Sequence, residues 1–161
     1  MYIQVSGQSA VGNNFHDCIG PGIIVGTTAV NVEVTNNIIA KNGGDGFTYN
    51  SNDAAVPVAL LFSNNTIDGN SGHGIVLSTQ AALNQIVCFN NIISNHTTAG
   101  KYGITVGAGT QAANDRVKMF FDYNTLYNNA GNYNAISPGA HDTVLSSDPY
   151  VGQSTENYTL A

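Results

Sequence analysis

Acidic side chains are the residues of this chain that could carry acid–base chemistry. Hydrolysis of a glycosidic bond needs two carboxyl groups about 5 to 10 Å apart, one acting as the acid and the other as the base or nucleophile. Asp45 and Asp68 flank turn glycines, where aspartate is an ordinary turn former, and they are also candidate calcium ligands. Asp115 and Asp122 flank Arg116. These four aspartates are the candidates for any catalytic site.

The four histidines give no metal-binding pattern. His16 falls at a position predicted to face the interior, so we expect a buried or capping role for it. His73 precedes a glycine in GHGI and is predicted to be a turn residue, whereas His96 and His141 are predicted to lie in polar loops. No His/Cys spacing typical of zinc is present. The sequence predicts neither a cofactor nor a metal ion.

Composition excludes several classes of protein. The 161 residues suit one domain, 42% of them are hydrophobic, and only 9% are charged, with a net charge of -6. Four scattered cations cannot form a phosphate-binding stripe, which argues against a nucleic-acid partner. No apolar run is long enough for a transmembrane helix, so we expect no membrane insertion. Cys18 and Cys88 are predicted to be two small, buried, unpaired thiols.

A repeated segment organises the chain. In Val30 to Ile39, VNVEVTNNII, valines alternate with polar residues and are followed by an Asn-Asn pair. The alternation is typical of a strand with one buried face, and the asparagine pair is typical of a turn. Four related segments occur, and we align all five on the second asparagine of the pair. The aligned residues are Asn14, Asn37, Asn65, Asn91 and Asn124.

A second landmark follows each pair. It is a glycine that opens a short apolar strand, at Gly22, Gly46, Gly74 and Gly103, and Asn134-Ala-Ile is a degraded fifth copy. Two landmarks that recur in phase, with insertions between them, indicate a repeat architecture. Short strands, frequent glycines and β-branched residues favour a parallel β-solenoid over helical repeats.

The alignment predicts which side chains stack in the core. The position three residues before the asparagine holds Val11, Val34, Phe62, Cys88 and Phe121. The position five before holds Ser9, Val32, Leu60, Ile86 and Met119, and the position two after holds His16, Ile39, Ile67, Ile93 and Leu126. In a stacked coil these columns fill a narrow interior, and the asparagines form a ladder of amide hydrogen bonds.

The NNxI turn followed by a G-[IF]-x-[VLY] strand resembles the right-handed parallel β-helix of the pectate-lyase-like superfamily, over residues 9–136. The ending, Ser147-Asp148-Pro149-Tyr150 through Tyr158-Thr-Leu, is similar to that of secreted and phage-borne β-helix repeat proteins, in which it folds back as a closing element. The resemblance implies an all-β, right-handed parallel β-helix of about five rungs with an irregular C-terminal cap. We therefore expect a single domain, 1–161, with an N-terminal edge at 1–8, rungs at 9–136 and the cap at 137–161.

The same superfamily contains polysaccharide lyases and glycoside hydrolases, whose carboxylates would come from outward positions on adjacent rungs. Two outward columns are predicted on one face: Glu33, Leu61, Val87 and Phe120, and beside it Thr35, Ser63, Phe89 and Asp122. In the first column Glu33 is followed, rung by rung, by three apolar residues. The nearest carboxylate in the second column, Asp122, is three rungs away from Glu33, so no carboxylate pair forms on this face. The lyase pattern resembles calcium held by aspartates beside a basic residue, and Arg116 is the only arginine. An enzyme, or a fragment of one, is the alternative hypothesis.

The apolar outer column is more informative. It consists of Leu61, Val87 and Phe120, with Phe89 beside it. A contiguous apolar outer face usually marks an interface, although the C-terminal residues are long enough to cover it. If copies associate, three β-helices around an axis would resemble phage tailspikes in outline.

The leading hypothesis is therefore a non-enzymatic structural or receptor- or glycan-binding module. Most concretely, it would be a phage virion protein, either a spike or fibre piece or a capsid-surface decoration protein, acting as a homotrimer. Its partners would be capsid or tail proteins or a surface glycan, and its location the virion or the extracellular surface. Loops that lengthen the repeat are the candidate binding loops: Asn50, Asn52, Asp53, Thr110, Gln111 and Asn114.

Overall fold

The structure is a computed structural model that describes residues 1–3, 7–26, 29, 31–51, 59–79, 85–107, 119–155 and 157–160. Its strands form three parallel sheets and one antiparallel hairpin. Sheet 1 contains β1 (Tyr2–Ile3), β4 (Ile23–Val25), β7 (Phe47–Ser51), β10 (Ile75–Thr79), β13 (Ile104–Val106) and β16 (Tyr133–Asn134). Sheet 2 contains β2 (Ser9–Val11), β5 (Val32–Thr35), β8 (Ala59–Ser63), β11 (Gln85–Phe89) and β14 (Met119–Asp122).

Sheet 3 completes the coil, and the hairpin follows it in the chain. Sheet 3 contains β3 (Asn14–His16), β6 (Ile38–Ala40), β9 (Thr66–Asp68), β12 (Ile92–Ser94), β15 (Thr125–Tyr127) and β17 (Thr143–Leu145). The hairpin pairs β18 (Tyr150–Gly152) with β19 (Asn157–Leu160), and a short 3-10 helix, Gln153–Thr155, lies between them. Within the described ranges, no helix has the length and apolar character needed to cross a membrane.

The chain visits sheets 2, 3 and 1 in turn and then repeats the circuit one strand further along each sheet. The five strands of sheet 2 therefore mark five rungs of a parallel β-solenoid. Every neighbouring pair in the three large sheets is parallel, as a coil with one sense of winding requires. The predicted all-β parallel solenoid is confirmed.

The core is a set of stacked apolar columns inside the coil. Val34 is the register partner of Phe62, Phe62 of Cys88, and Cys88 of Phe121. The columns that begin at Val32 and Ile39 also stack in the predicted register in the later rungs. The Phe47 ring of sheet 1 meets the Phe62 ring at a centroid distance of 4.4 Å, so large side chains from different sheets fill the interior together. Cys18 and Cys88 are both free; Cys88 is buried as predicted, whereas the predicted burial of Cys18 is wrong, because this residue lies in the turn of the first rung and is half-buried.

The predicted register of the first rung is wrong by one residue. Ala10, not Val11, pairs with Val34, and Phe15, not His16, pairs with Ile39. Val11 and His16 are exposed. The reason lies in the turn, because the residue before each ladder asparagine has a positive φ, and in the first rung that residue is Gly12, at +69°. The ladder residue of the first rung is therefore Asn13. The alignment placed Asn14 there because residues 13 and 14 are both asparagine.

The end of the coil is closed by the residues that follow the last rung. Ile136 packs against the core, and Gly139 lies against the backbone of Phe121 and Asp122. Ile104 pairs with Tyr133, so Asn132 stands where the preceding rung has the strand-opening glycine Gly103. The predicted fifth copy, which began at Asn134, therefore starts two residues too late. β17 adds one regular strand to sheet 3.

Candidate functional site

The predicted asparagine ladder occupies the turn between sheets 2 and 3. In each rung the side-chain Nδ2 donates a hydrogen bond to the Oδ1 of the ladder residue in the next rung, at 3.0 to 3.2 Å. The backbone N–H of the same residue donates to the same oxygen. The ladder runs through Asn13, Asn37, Asn65, Asn91 and Asn124. Buried polar groups must be paired to be tolerated, and here each amide pairs with the next.

Asp142 ends this ladder. Its Oδ1 accepts hydrogen bonds from the backbone N and from Nδ2 of Asn124, at 2.7 and 3.1 Å. Its Oδ2 accepts from the Tyr133 hydroxyl and from the backbone N of Gly139. Burial, followed by this hydrogen bond, raises the pKa of Tyr133. The carboxylate replaces the amide oxygen of a sixth rung and closes the stack.

A second polar ladder, which the sequence analysis missed, lies in the turn between sheets 3 and 1. Asn42 Nδ2 donates to Asn70 Oδ1 at 2.9 Å, and Asn70 Nδ2 donates to His96 Nε2 at 3.3 Å. His96 Nδ1 then donates to Asn129 Oδ1 at 3.0 Å. Because Nε2 accepts, the proton resides on Nδ1 and the imidazole is neutral. His96 does lie in a loop, as predicted, but its side chain is fully buried.

Burial dominates the titration of His96. Desolvation lowers its pKa to about 4, against smaller raising effects of the Asn129 hydrogen bond and the charges of Asp68 and Asp45. His96 takes the place of an asparagine in an otherwise uniform stack, so its ring is a structural group in the neutral form.

The strand-opening glycines make room for this second ladder. A Cβ on Gly46 would lie 2.9 Å from Asn70 Nδ2 and 2.8 Å from the carbonyl oxygen of Gly74. A Cβ on Gly74 would lie 3.0 Å from His96 Cε1 and 2.5 Å from the carbonyl oxygen of Gly103. The recurring glycine is therefore a packing requirement of the ladder beneath it.

Asp68 is a buried anchor for the C-terminal tail. Its Oδ1 accepts from Ser94 Oγ and Asn95 Nδ2, both at 2.7 Å. Its Oδ2 accepts from Gln153 Nε2 at 2.7 Å and from the Tyr158 hydroxyl at 3.3 Å. The interpretation of the Asp68 side chain as a turn former is wrong, because its carboxylate bonds donors on the next rung, 26 and 27 residues away, and in the tail, 85 and 90 residues away.

Asp45 and Asp122, the other candidate aspartates that the structure describes, lie on different parts of the coil. Asp45 accepts from the backbone N of His73 and from the Thr48 hydroxyl. Asp122 accepts from the ring and the backbone N of His141, and the ring hydrogen bond lowers the pKa of Asp122. Asp115 and Arg116 lie outside the described residues. In the part of the chain that the structure covers, no three His, Cys, Asp or Glu side chains are grouped so as to hold a metal ion.

His73 is held in the turn before sheet 1. Its Nδ1 accepts the backbone N–H of Tyr102 at 3.0 Å, and its ring stacks on the Tyr102 ring at 5.8 Å. Burial is the main cause that lowers the pKa of His73. This arrangement joins adjacent rungs and agrees with a turn role.

The apolar outer column forms one continuous row on the outer face of sheet 2. Leu61 pairs with Val87 and Val87 with Phe120, each one rung apart. Leu61 and Phe120 are exposed to 37% and 50%, while Val87 and Phe89 are half-buried. The column beside it is less open than predicted, because its smaller members are buried: Thr35, Ser63 and Asp122.

The C-terminal tail lies over sheet 3, not over this row. The Tyr150 hydroxyl and Ser94 Oγ share a hydrogen bond of 2.9 Å. The Tyr158 ring packs edge-on against the Tyr150 ring. Together with the Asp68 contacts, these place the hairpin on the outer face of sheet 3. The idea that the tail covers the apolar outer column is wrong for the described tail residues.

The candidate binding loops are covered only in part. Asn50 is half-buried in β7 and pairs with Ser78 of β10. The remaining members lie outside the described residues: Asn52, Asp53, Thr110, Gln111 and Asn114.

Comparison with protein-family models matches residues 1–130 to the family described as the right-handed β-helix region. Comparisons with curated proteins and with solved structures gave no match. The matched part contains all five strands of sheet 2 and both polar ladders as far as residue 129. The chain belongs to the right-handed β-helix family.

Proposed function

We propose that this chain is a non-enzymatic structural and recognition module of a virion, either a spike or fibre piece or a capsid-surface decoration protein, and that it acts as a homotrimer. The observation that carries the proposal is the apolar outer column on sheet 2. Exposed side chains of Phe and Leu in one row cost free energy in water, at roughly 25 cal/mol per Å² of apolar surface. Association of copies through this face would remove that surface from water.

The geometry of the face suits a closed, symmetric assembly. Sheet 2 carries the row along the coil axis, so each copy offers the same straight surface to its neighbours. A closed point group limits the assembly and avoids open filaments. Glu33, which lies one rung from Leu61 in the same column, sets a polar limit to the row.

The use of carboxylates supports a non-enzymatic role. Asp68 and Asp142 each accept four hydrogen bonds that hold the coil and its tail. A carboxylate that must keep these partners is not available to transfer protons to a substrate. The low charge of the chain, 9% charged residues, fits a location in the virion or outside the cell.

Sedimentation velocity tests the assembly. The parent chain is expected to sediment as a trimer, and Phe120→Asp as a monomer with an unchanged far-UV circular dichroism spectrum. Val151→Asp is the matched control, because Val151 is 62% exposed but lies in the tail hairpin. A monomeric parent chain, or a Phe120→Asp variant that still forms trimers, would refute the proposed assembly.

A polysaccharide lyase or glycoside hydrolase is the second candidate, and one observation favours it. Asp45, His73 and Tyr102 belong to three successive rungs, and His73 contacts both of the others in the turn before sheet 1. Turnover on a panel of acidic and neutral polysaccharides would test it, with Asp45→Asn as the decisive variant. Activity that disappears with this change would replace the non-enzymatic proposal.

A further inference from the structure

A groove runs along the outer face of sheet 3 beside the C-terminal hairpin. The hairpin covers the column of outward side chains that contains Asp68 and Ser94, and it leaves the neighbouring outward column partly open. The floor of the groove is this second column, in which Thr66, Ile92 and Thr125 are register partners on successive rungs. All three side chains are half-buried.

The two walls of the groove have different chemistry. On the hairpin side, Pro149 and Leu160 supply apolar surface around a cavity of about 390 Å³. On the turn side, Asn64 and Asn90 line a cavity of about 290 Å³. Both cavities share Ile92, Thr125 and Leu160, so they form one continuous groove. Each is close to the lower end of the volumes found for ligand sites, about 300 Å³.

The turn-side wall presents amide groups in a fixed orientation. Asn64 and Asn90 hold the positive-φ position before each ladder asparagine, at +55° and +56°. Asn90 Nδ2 donates to Asn64 Oδ1, which leaves Asn64 Nδ2 as a donor and Asn90 Oδ1 as an acceptor for a ligand. Tyr123 occupies the same turn position on the next rung, is 54% exposed, and stacks on His141 at 4.5 Å.

The polar groups of the groove suit a ligand that carries many hydroxyls and no charge. Thr66 and Thr125 add hydroxyl groups about 10 Å apart, two rung spacings along the coil axis. No cation lines the described groove, and Asp148 is its one acidic member. An anionic ligand would therefore be repelled. A pyranose ring carries hydroxyl groups along its edge and has an apolar C–H face. In this groove the C–H face would pack against Ile92 and Leu160.

A peptide fits this groove less well. Extended peptides usually bind by adding a strand to an open sheet edge. The floor strands β9, β12 and β15 are paired with neighbours on both sides, so their backbone groups offer no such edge. Recognition must come from side chains alone, which favours a ligand with dense hydroxyl groups.

We propose that the sheet 3 groove, walled by Leu160 and Pro149 on one side and by the Asn64–Asn90 amides on the other, binds a short neutral glycan that lies along the coil axis. The site rests on the recognition role proposed above but not on the trimer, since the apolar outer column lies on sheet 2. Asn50, the one predicted loop residue that the structure describes, lies on sheet 1 and not on sheet 3.

Binding can be measured on the full chain with an array of short uncharged gluco-, galacto-, manno- and xylo-oligosaccharides, with acidic oligosaccharides and extended peptides on the same array. The strongest uncharged ligand is then titrated calorimetrically. Thr125→Val keeps the shape of the side chain and removes one hydroxyl, so we expect a loss of about 3- to 10-fold in affinity, as for one hydrogen bond. Leu160→Asp is expected to abolish detectable binding.

Thr98→Val is the matched control, because Thr98 is exposed in a turn outside the groove, and its affinity should equal that of the parent chain. Thermal unfolding of each variant checks that the coil is intact. The proposal fails if no uncharged glycan binds, if only acidic glycans or peptides bind, or if Thr125→Val and Leu160→Asp bind like the parent. A monomeric chain that binds the glycan would refute the trimer alone, and a trimer that binds no glycan would refute the groove alone.

Discussion

Acidification should destabilise the coil through His96. The ring is fully buried between Asn70 and Asn129, and its neutral Nδ1–H tautomer completes the second ladder. A second proton on Nε2 would place a charge in the core and turn the acceptor of Asn70 into a donor. Asp68, Asp45 and His73 are the titratable groups that act on the ring, and their effects are smaller than that of burial.

The expected magnitude follows from the pKa difference between the folded and unfolded chain. Burial lowers the pKa of His96 from about 6.5 to about 4. Between these values the unfolded chain binds more protons than the folded chain, so the free energy of unfolding decreases as the pH falls. Each pKa unit corresponds to about 1.4 kcal/mol, which gives a loss of about 3 kcal/mol between pH 6.5 and pH 4. The free energy of unfolding that is lost through His96 is fully present above pH 6.5.

Urea unfolding followed by circular dichroism at several pH values between 7.5 and 4 measures this loss. His96→Asn is the control, because an asparagine would accept from Asn70 and donate to Asn129 as its counterparts do in the other rungs. The variant should lose about 3 kcal/mol less than the parent over the same interval. Equal pH dependence in parent and variant, or a His96 pKa near 6.5 by NMR, would refute the reasoning.

Three further substitutions test the coil and its tail. Phe62→Asp should prevent folding, because it buries an unpaired charge inside a closed stack, and the far-UV circular dichroism spectrum should lose its β-sheet signal. Asn65→Ala should lower the free energy of unfolding by about 3 kcal/mol, since buried donors of Asn37 lose their acceptor; an unchanged urea midpoint would contradict the ladder. Asp68→Asn should loosen the hairpin and leave the coil folded, so chymotrypsin should cleave after Tyr158 faster than in the parent, and equal cleavage rates would show that Asp68 does not anchor the tail.

The repeat could be predicted from sequence wherever the strand and the turn both keep their residue types. In the segments around Asn37, Asn65 and Asn91, alternating apolar residues fix the inward face, since a strand has a period of two. In the first copy the alternation is short, and the asparagine pair could be aligned in two ways. The decisive residue is Gly12, because the position before the ladder residue has a positive φ and glycine adopts it without strain.

The second ladder has a sequence signal of its own. Each member lies five residues after a member of the first ladder, and each follows a residue with a positive φ. The members are Asn42, Asn70, His96 and Asn129, with Cys18 at the start, whose backbone N donates to Asn42 Oδ1. His96 hid the pattern, since its ring supplies the same donor and acceptor as an amide with a different residue type.

The position of the tail could not be predicted from local patterns. Gln153 and Tyr158 reach Asp68 across 85 and 90 residues, and no repeat relates these residues. The hairpin packs where the buried Asp68 carboxylate and Ser94 lie side by side on neighbouring rungs. Only the register of the strands shows that these two residues are neighbours. For the same reason the groove on sheet 3 is visible only once the hairpin has been placed.

Photo-crosslinking tests the proposed association face most directly. A benzophenone amino acid at position 120, the most exposed residue of the row on sheet 2, should yield covalent products between copies of this chain on illumination at micromolar concentration. The same group at position 151, in the tail hairpin, is expected to yield none. Crosslinks from position 120 at two and three times the chain mass would agree with the proposal, whereas none from position 120, or equal yields from both positions, would contradict it.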